Sequence, residues 1–211
     1  MKKALLLATM ILGLSSVSVY AEGSYVGANI GLAVYHGSKT TETDETSTLK
    51  YDMGSGVDIA LGYAFNRNFS VEAEFSYRSA DWDKMNGISI PARYGVPDLA
   101  VGTDVMSYMV NGYYNITQLA YAVTPFVGAG VGMINAEVSY SVPGFIESKD
   151  DTVFGYQVML GGSYPINRKV NINAGYKYQM TASDLKGSLK GNTIEFPYKS
   201  STFLFGARYN F

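Results

Sequence analysis

FSVEAEFSYR, at Phe69 to Arg78, alternates without a break. Phe69, Val71, Ala73, Phe75 and Tyr77 fall on one face, and Ser70, Glu72, Glu74, Ser76 and Arg78 on the other. A helix would scatter these side chains around its circumference, whereas a strand sorts them cleanly. The same period governs the rest of the chain. In YVGANIGLAVY, Val26, Ala28, Ile30, Leu32 and Val34 oppose Gly27, Asn29, Gly31 and Ala33. In GVDIALGYAF, Val57, Ile59, Leu61, Tyr63 and Phe65 oppose Gly56, Asp58, Ala60 and Gly62.

Five further segments read alike, over residues 104–114, 125–137, 153–164, 170–180 and 201–211. Eight strands of about ten residues are predicted, the length a tilted strand needs to cross a bilayer. The connections alternate. Asn66–Asn68, Asn115–Ala120 and Pro165–Lys169 are short; residues 37–53, 79–102, 141–151 and 181–199 are long and polar. Short turns at one end, long loops at the other and an even strand count describe an all-β, eight-stranded antiparallel up-and-down barrel of the outer-membrane type, with both termini on the periplasmic side.

The N-terminus fits export. Lys2 and Lys3 precede ALLLATMILGL, and VYA closes at Ala21. Residues 1–21 read as a secretory signal peptide, too short for a spanning helix, which leaves 22–211 as one barrel domain. Without Lys2 and Lys3 the chain has 14 basic and 18 acidic residues, a net charge near −4 with no basic face for nucleic acid. There is no cysteine, so no disulfide can brace the fold.

Which face meets lipid follows from the charges. The apolar faces carry none; Asp58, Glu72, Glu74, Arg78, Lys177 and Arg208 all fall on the opposite face. A charge on the lipid face near the bilayer midplane costs roughly 2–4 kcal/mol. Phe65, Phe69, Tyr114, Tyr164, Tyr209 and Phe211 collect at the short-turn end, and Tyr77, Tyr108, Phe154, Tyr178 and Phe203 toward the long loops. Two aromatic belts are expected at headgroup level. The alternative, a water-soluble lipocalin-type barrel, would turn the apolar face inward and leave Gly and Asn outside. Inside a narrow bore, opposite charges should pair, and a plug centred on Glu72/Glu74 and Lys177/Arg208 is expected beside the alternative of a wet polar lining.

The chain ends STFLFGARYNF, with Phe203, Phe205, Tyr209 and Phe211 in step. Here it resembles the C-terminal signal of bacterial outer-membrane proteins, which the barrel-assembly machinery reads. TPFVGAGVGM, VNGYYNI and YQVMLGGSYPI are similar to the porin-like outer-membrane β-barrel family of surface antigens, related to the OmpA/OmpX and opacity-protein barrels. The resemblance implies outer-membrane localisation, contact with outer-membrane lipids and the assembly machinery through Phe205, Tyr209 and Phe211, and roles in adhesion or immune exposure. It also implies an internal salt-bridge network like that of OmpA-like barrels. It carries over no catalytic residue.

The leading functional reading is a surface-displayed anchor, adhesin or antigen, whose loops meet host or extracellular ligands. Loop 79–102 is the best binding candidate, with Trp82, Ile88, Ile90, Tyr94 and Leu99 giving it an apolar share; the same residues would otherwise cap the barrel mouth. A small channel is the alternative. A lipid-modifying enzyme would need His36, the sole histidine, near Ser38, Glu42 or Asp44. Loop 37–53 reads as solvated and mobile, and its acids lack an EF-hand-like spacing, so neither a metal nor a cofactor is expected.

Overall fold

The computed structural model describes residues 23–36, 39–42, 45–51, 53–85, 88–89, 100–117, 122–142, 145–189 and 192–211. These contain strands and no helix. The strands are β1 (Gly23–Tyr35), β2 (Lys39–Glu42), β3 (Glu45–Tyr51), β4 (Gly54–Ala64), β5 (Phe69–Met85), β6 (Ile88–Ser89), β7 (Ala100–Asn115), β8 (Thr124–Val142), β9 (Phe145–Pro165), β10 (Val170–Thr181), β11 (Leu185–Leu189), β12 (Asn192–Phe196) and β13 (Lys199–Asn210).

Eight of them close a barrel in the order β1, β4, β5, β7, β8, β9, β10, β13, every pair antiparallel, with β13 returning to β1. Closure leaves no edge in lipid. The register fixes the geometry. Starting at Leu160, cross-strand partners run Tyr176, Phe203, Leu32, Ser55, Ser79, Asp104, Glu137 and return to β9 at Asp150, ten residues from the start. A stagger of ten over eight strands corresponds to a tilt of about 40°.

Over the lower part of the barrel the apolar face points outward. Ile30, Leu32, Ile59, Val110, Val131, Val158, Leu160, Phe203 and Phe205 are all exposed, while Asp58, Glu72, Glu74, Arg78 and Lys177 are buried. The lipocalin arrangement is thereby excluded. Rings pair along the short-turn rim, Phe69 with Tyr114 at 5.0 Å and Tyr209 with Phe211 at 5.5 Å. Toward the long connections, Phe75 meets Tyr108 at 5.3 Å and Tyr176 meets Phe203 at 5.4 Å.

The strands are longer than their sequence pattern predicts. β8 spans 19 residues and β9 spans 21. Much of the expected loops is strand: β2 and β3 form a hairpin within 37–53, and β11 and β12 another within 181–199. β3 pairs with the outer end of β5, and β2 meets β12 at Thr41↔Glu195. The barrel wall therefore continues past the apolar belt. The physical reason is a change of solvent. Below, apolar side chains face lipid; above, Val105, Ile134, Ala136 and Val138 are buried inside while Asp104, Asn135 and Glu137 occupy the outer face. The alternation reverses phase at Val105–Met106, Met133–Ile134 and Val153–Phe154, where two apolar residues stand side by side. Segment 37–53 is a strand hairpin where it is described, because strand neighbours on both sides take up its backbone hydrogen bonds.

Candidate functional site: a packed bore beneath an outer wall

The bore is filled at three levels. At the centre, Lys177 Nζ donates to Asp58 Oδ2 at 2.7 Å and to Glu74 Oε1 at 2.6 Å. Arg78 Nη2 reaches Asp58 Oδ1 at 3.0 Å, its Nη1 donates to Ser76 Oγ at 2.8 Å, and its Nε donates to Thr202 Oγ1 at 3.2 Å. Neutral side chains complete a ring. Ser76 and Ser107 hydroxyls lie 2.5 Å apart, Gln179 Nε2 donates to Ser107 Oγ (3.1 Å) and to Gln157 Oε1 (3.0 Å), and Gln157 Nε2 donates to Glu74 Oε1 (3.1 Å). Asn111 Nδ2 adds a bond to Glu74 Oε2 at 3.2 Å. The circuit Asp58–Lys177–Glu74–Gln157–Gln179–Ser107–Ser76–Arg78 runs through five strands. Arg78 and Lys177 are each 1% exposed.

Below it, Arg208 Nη2 pairs with Glu72 Oε1 at 3.2 Å, and its guanidinium lies 4.0 Å from the centre of the Tyr25 ring. Tyr113 packs against Phe126, ring centres 5.7 Å apart, and its hydroxyl points at Met159 Sδ at 3.1 Å. A cavity of about 50 Å³, lined by residues including Asn29, Glu72, Glu74, Asn173 and Arg208, separates this level from the ring. Tyr25 fits because Gly62 has no side chain; a Cβ there would overlap the Tyr25 ring. Gly62→Val is expected to expel Tyr25, loosen Arg208–Glu72 and lower stability by about 1–3 kcal/mol. Denaturant unfolding of the reconstituted barrel checks this, and an unchanged midpoint would contradict it.

Above the ring the filling is apolar: Tyr35, Ala80, Val105, Ile134, Ala136, Val138, Leu185 and Tyr198 are buried. Tyr35 and Tyr198 meet edge-on at 5.7 Å, and Tyr198 OH donates to Gln179 Oε1 at 3.2 Å. Leu185 and Tyr198 come from the connection 181–199, for which the sequence suggested no role. Loop 79–102, the expected binding loop with capping of the mouth as its alternative, is only partly described. Trp82 pairs with Tyr51 on the outer end of β5, and Ile88 pairs with Met85. Ile90, Tyr94 and Leu99 lie outside the described residues.

The ring includes residues that attention to charge alone overlooks. Ser76, Ser107, Asn111, Gln157 and Gln179 are uncharged, yet share strand parity with Glu74, Arg78 or Lys177 or with bore-facing neighbours; parity is the signal that finds them. The six charges Asp58, Glu72, Glu74, Arg78, Lys177 and Arg208 sum to zero, so the bore holds no excess charge.

His36 Nε2 lies 2.7 Å from Ser201 Oγ, which also sits 2.6 Å from Tyr176 OH, and the His36 ring contacts Tyr178 at 5.8 Å. The hydroxyl shared by His36 and Tyr176 ties β1, β10 and β13 together at the outer rim. Of the acids and serine expected beside His36, Ser38 and Asp44 lie outside the described residues, and only the backbone of Glu42 is described.

An exposed apolar belt around a bore of matched buried charges defines a β-barrel that lives in a membrane. The chain belongs to the outer membrane protein beta-barrel domain family, whose model matches residues 4–211. A candidate adhesin of Rickettsia canadensis is 27% identical over 189 residues, covering 84% of this chain and 83% of that protein. Outer membrane protein PagN of Salmonella typhimurium is 29% identical over 192 residues, covering 80% and 79%. Neisserial surface protein A shares the fold, with a TM-score of 0.59 and 21% identity over 92% of this chain and all of that one. This is a Gram-negative outer-membrane surface protein.

Proposed function

We propose that the protein is an adhesin-type surface barrel whose binding content lies on the outer wall and its tips. The observation that carries this reading is the continuation of β5, β7, β8 and β9 beyond the lipid-facing belt, which builds a rigid platform for the connections at its top. The Rickettsia canadensis relative described as a candidate adhesin supports it. Trp82, Ile88, Ile90, Tyr94 and Leu99 are the proposed ligand contacts. In this reading residues 1–21 direct export, both termini face the periplasm, the assembly machinery reads Phe205, Tyr209 and Phe211, and outer-membrane lipids surround the belt.

The bore network acts as a structural plug. Three filled levels support a scaffold over a channel, so planar-bilayer recording is expected to show no steady conductance. The His36–Ser201–Tyr176 cluster acts as a rim clamp, and the role is non-catalytic.

The test is display of the full chain on non-adherent bacteria. Wild type is expected to confer binding to host cells, and a variant trimmed at 86–99, past the paired ends of β5 and β7, is expected to lose most of it while still reaching the outer membrane. Binding unaffected by trimming would overturn the assignment to this tip.

A further inference from the structure

Two of the short turns are copies of one another. YAFNRNFSVEA (Tyr63–Ala73) joins β4 to β5, and YPINRKVNINA (Tyr164–Ala174) joins β9 to β10. Asn66 Oδ1 accepts from Asn68 N and Phe69 N, each at 2.8 Å. Asn167 Oδ1 accepts from Lys169 N at 2.8 Å and Val170 N at 2.9 Å. The backbone bonds also match: Phe65 N and Asn66 N donate to Phe69 O, as Ile166 N and Asn167 N donate to Val170 O. Each asparagine ties down the turn and leaves the next residue, Arg67 or Arg168, exposed at its tip. The turns are four strands apart in the ring of eight, so the arginines stand on opposite sides of the barrel.

The chemistry of the short connections is one-sided. The three short connections carry Arg67, Arg168 and Lys169 and no Asp or Glu, whereas the four long ones carry 12 acidic and 8 basic residues. The exposed rings of Phe65, Phe69, Tyr164, Tyr209 and Phe211 set the turns at headgroup level. Lys169 Nζ is held over the Tyr209 ring at 5.6 Å and lies 3.4 Å from its hydroxyl. Guanidinium groups match phosphate oxygens in a bidentate fork.

We propose that the short-turn rim is a binding surface for anionic phospholipid headgroups, with Arg67 and Arg168 as opposed phosphate-binding prongs and Lys169 beside one of them. The rim anchors the barrel in the leaflet it faces. This requires only the membrane-spanning fold, so its failure leaves the adhesin reading untouched, and the reverse also holds.

The experiment reconstitutes the full barrel in vesicles and measures, with spin-labelled lipids, the association of phosphatidylglycerol relative to phosphatidylcholine at its perimeter. Wild type is expected to prefer phosphatidylglycerol. The long connections carry basic residues as well as acidic ones, so the substituted variants assign the preference to the short turns. The triple variant Arg67→Gln, Arg168→Gln, Lys169→Gln is expected to lose about fivefold per charge at each occupied site, bringing the average toward parity. Arg67→Lys with Arg168→Lys should keep most of it, and 0.5 M salt should weaken it in wild type. Heat-modifiable gel mobility shows that each variant is folded. A wild type without preference, or a folded triple variant that retains it, overturns the proposal.

Discussion

Lys177→Met is expected to lower the unfolding free energy by about 3–5 kcal/mol, the cost of stranding a buried charge. Among the described residues Lys177 bridges Asp58 and Glu74, and at 1% exposure it is shielded from bulk solvent. Its loss leaves the ring with two central carboxylates against Arg78 alone. Methionine keeps the volume, so the effect is electrostatic and not a cavity. Denaturant unfolding in vesicles gives the number. The double variant Lys177→Met, Glu74→Gln restores neutrality and should recover a large part of the loss, which a purely steric effect would not allow. A single variant as stable as wild type would show that the ring contributes little.

Ile59→Arg is expected to cost about 2–4 kcal/mol, because Ile59 stands 54% exposed in the middle of the lipid-facing belt. The next residue inward is Ala60, 4% exposed and facing the bore. The measurement is again reversible unfolding in vesicles, supplemented by the yield of barrel assembled in the outer membrane. In a barrel bathed in water on its outside the substitution would be nearly neutral, so a loss below about 0.5 kcal/mol would remove the bilayer from the account of this face.

The lower barrel was legible because a single rule governs it. In Phe69–Arg78, lipid outside and a narrow bore inside force a clean period of two, and glycines such as Gly62 make room for Tyr25. The upper wall was not legible by the same rule. The strands predicted over 104–114, 125–137 and 153–164 end within a few residues of the point where the apolar residues change faces, yet β7, β8 and β9 run on past it. Their pattern does not stop; it shifts by one residue. The bore was half legible: charge finds Asp58, Glu74 and Lys177, but Gln157, Gln179 and Ser107 depend on register, which shear sets only when the sheet closes. Tyr198 and Leu185 were hidden for another reason, since a segment that turns inward from a rim has no periodic signature.

The slip of phase at Val105–Met106, Met133–Ile134 and Val153–Phe154 has a further consequence. It records the upper surface of the hydrocarbon in the primary structure itself, independently on three neighbouring strands. Immersion depth and the height of the projecting part are therefore separate variables: residues may be added in pairs above the slip to raise the tips, without altering what is dissolved in the membrane.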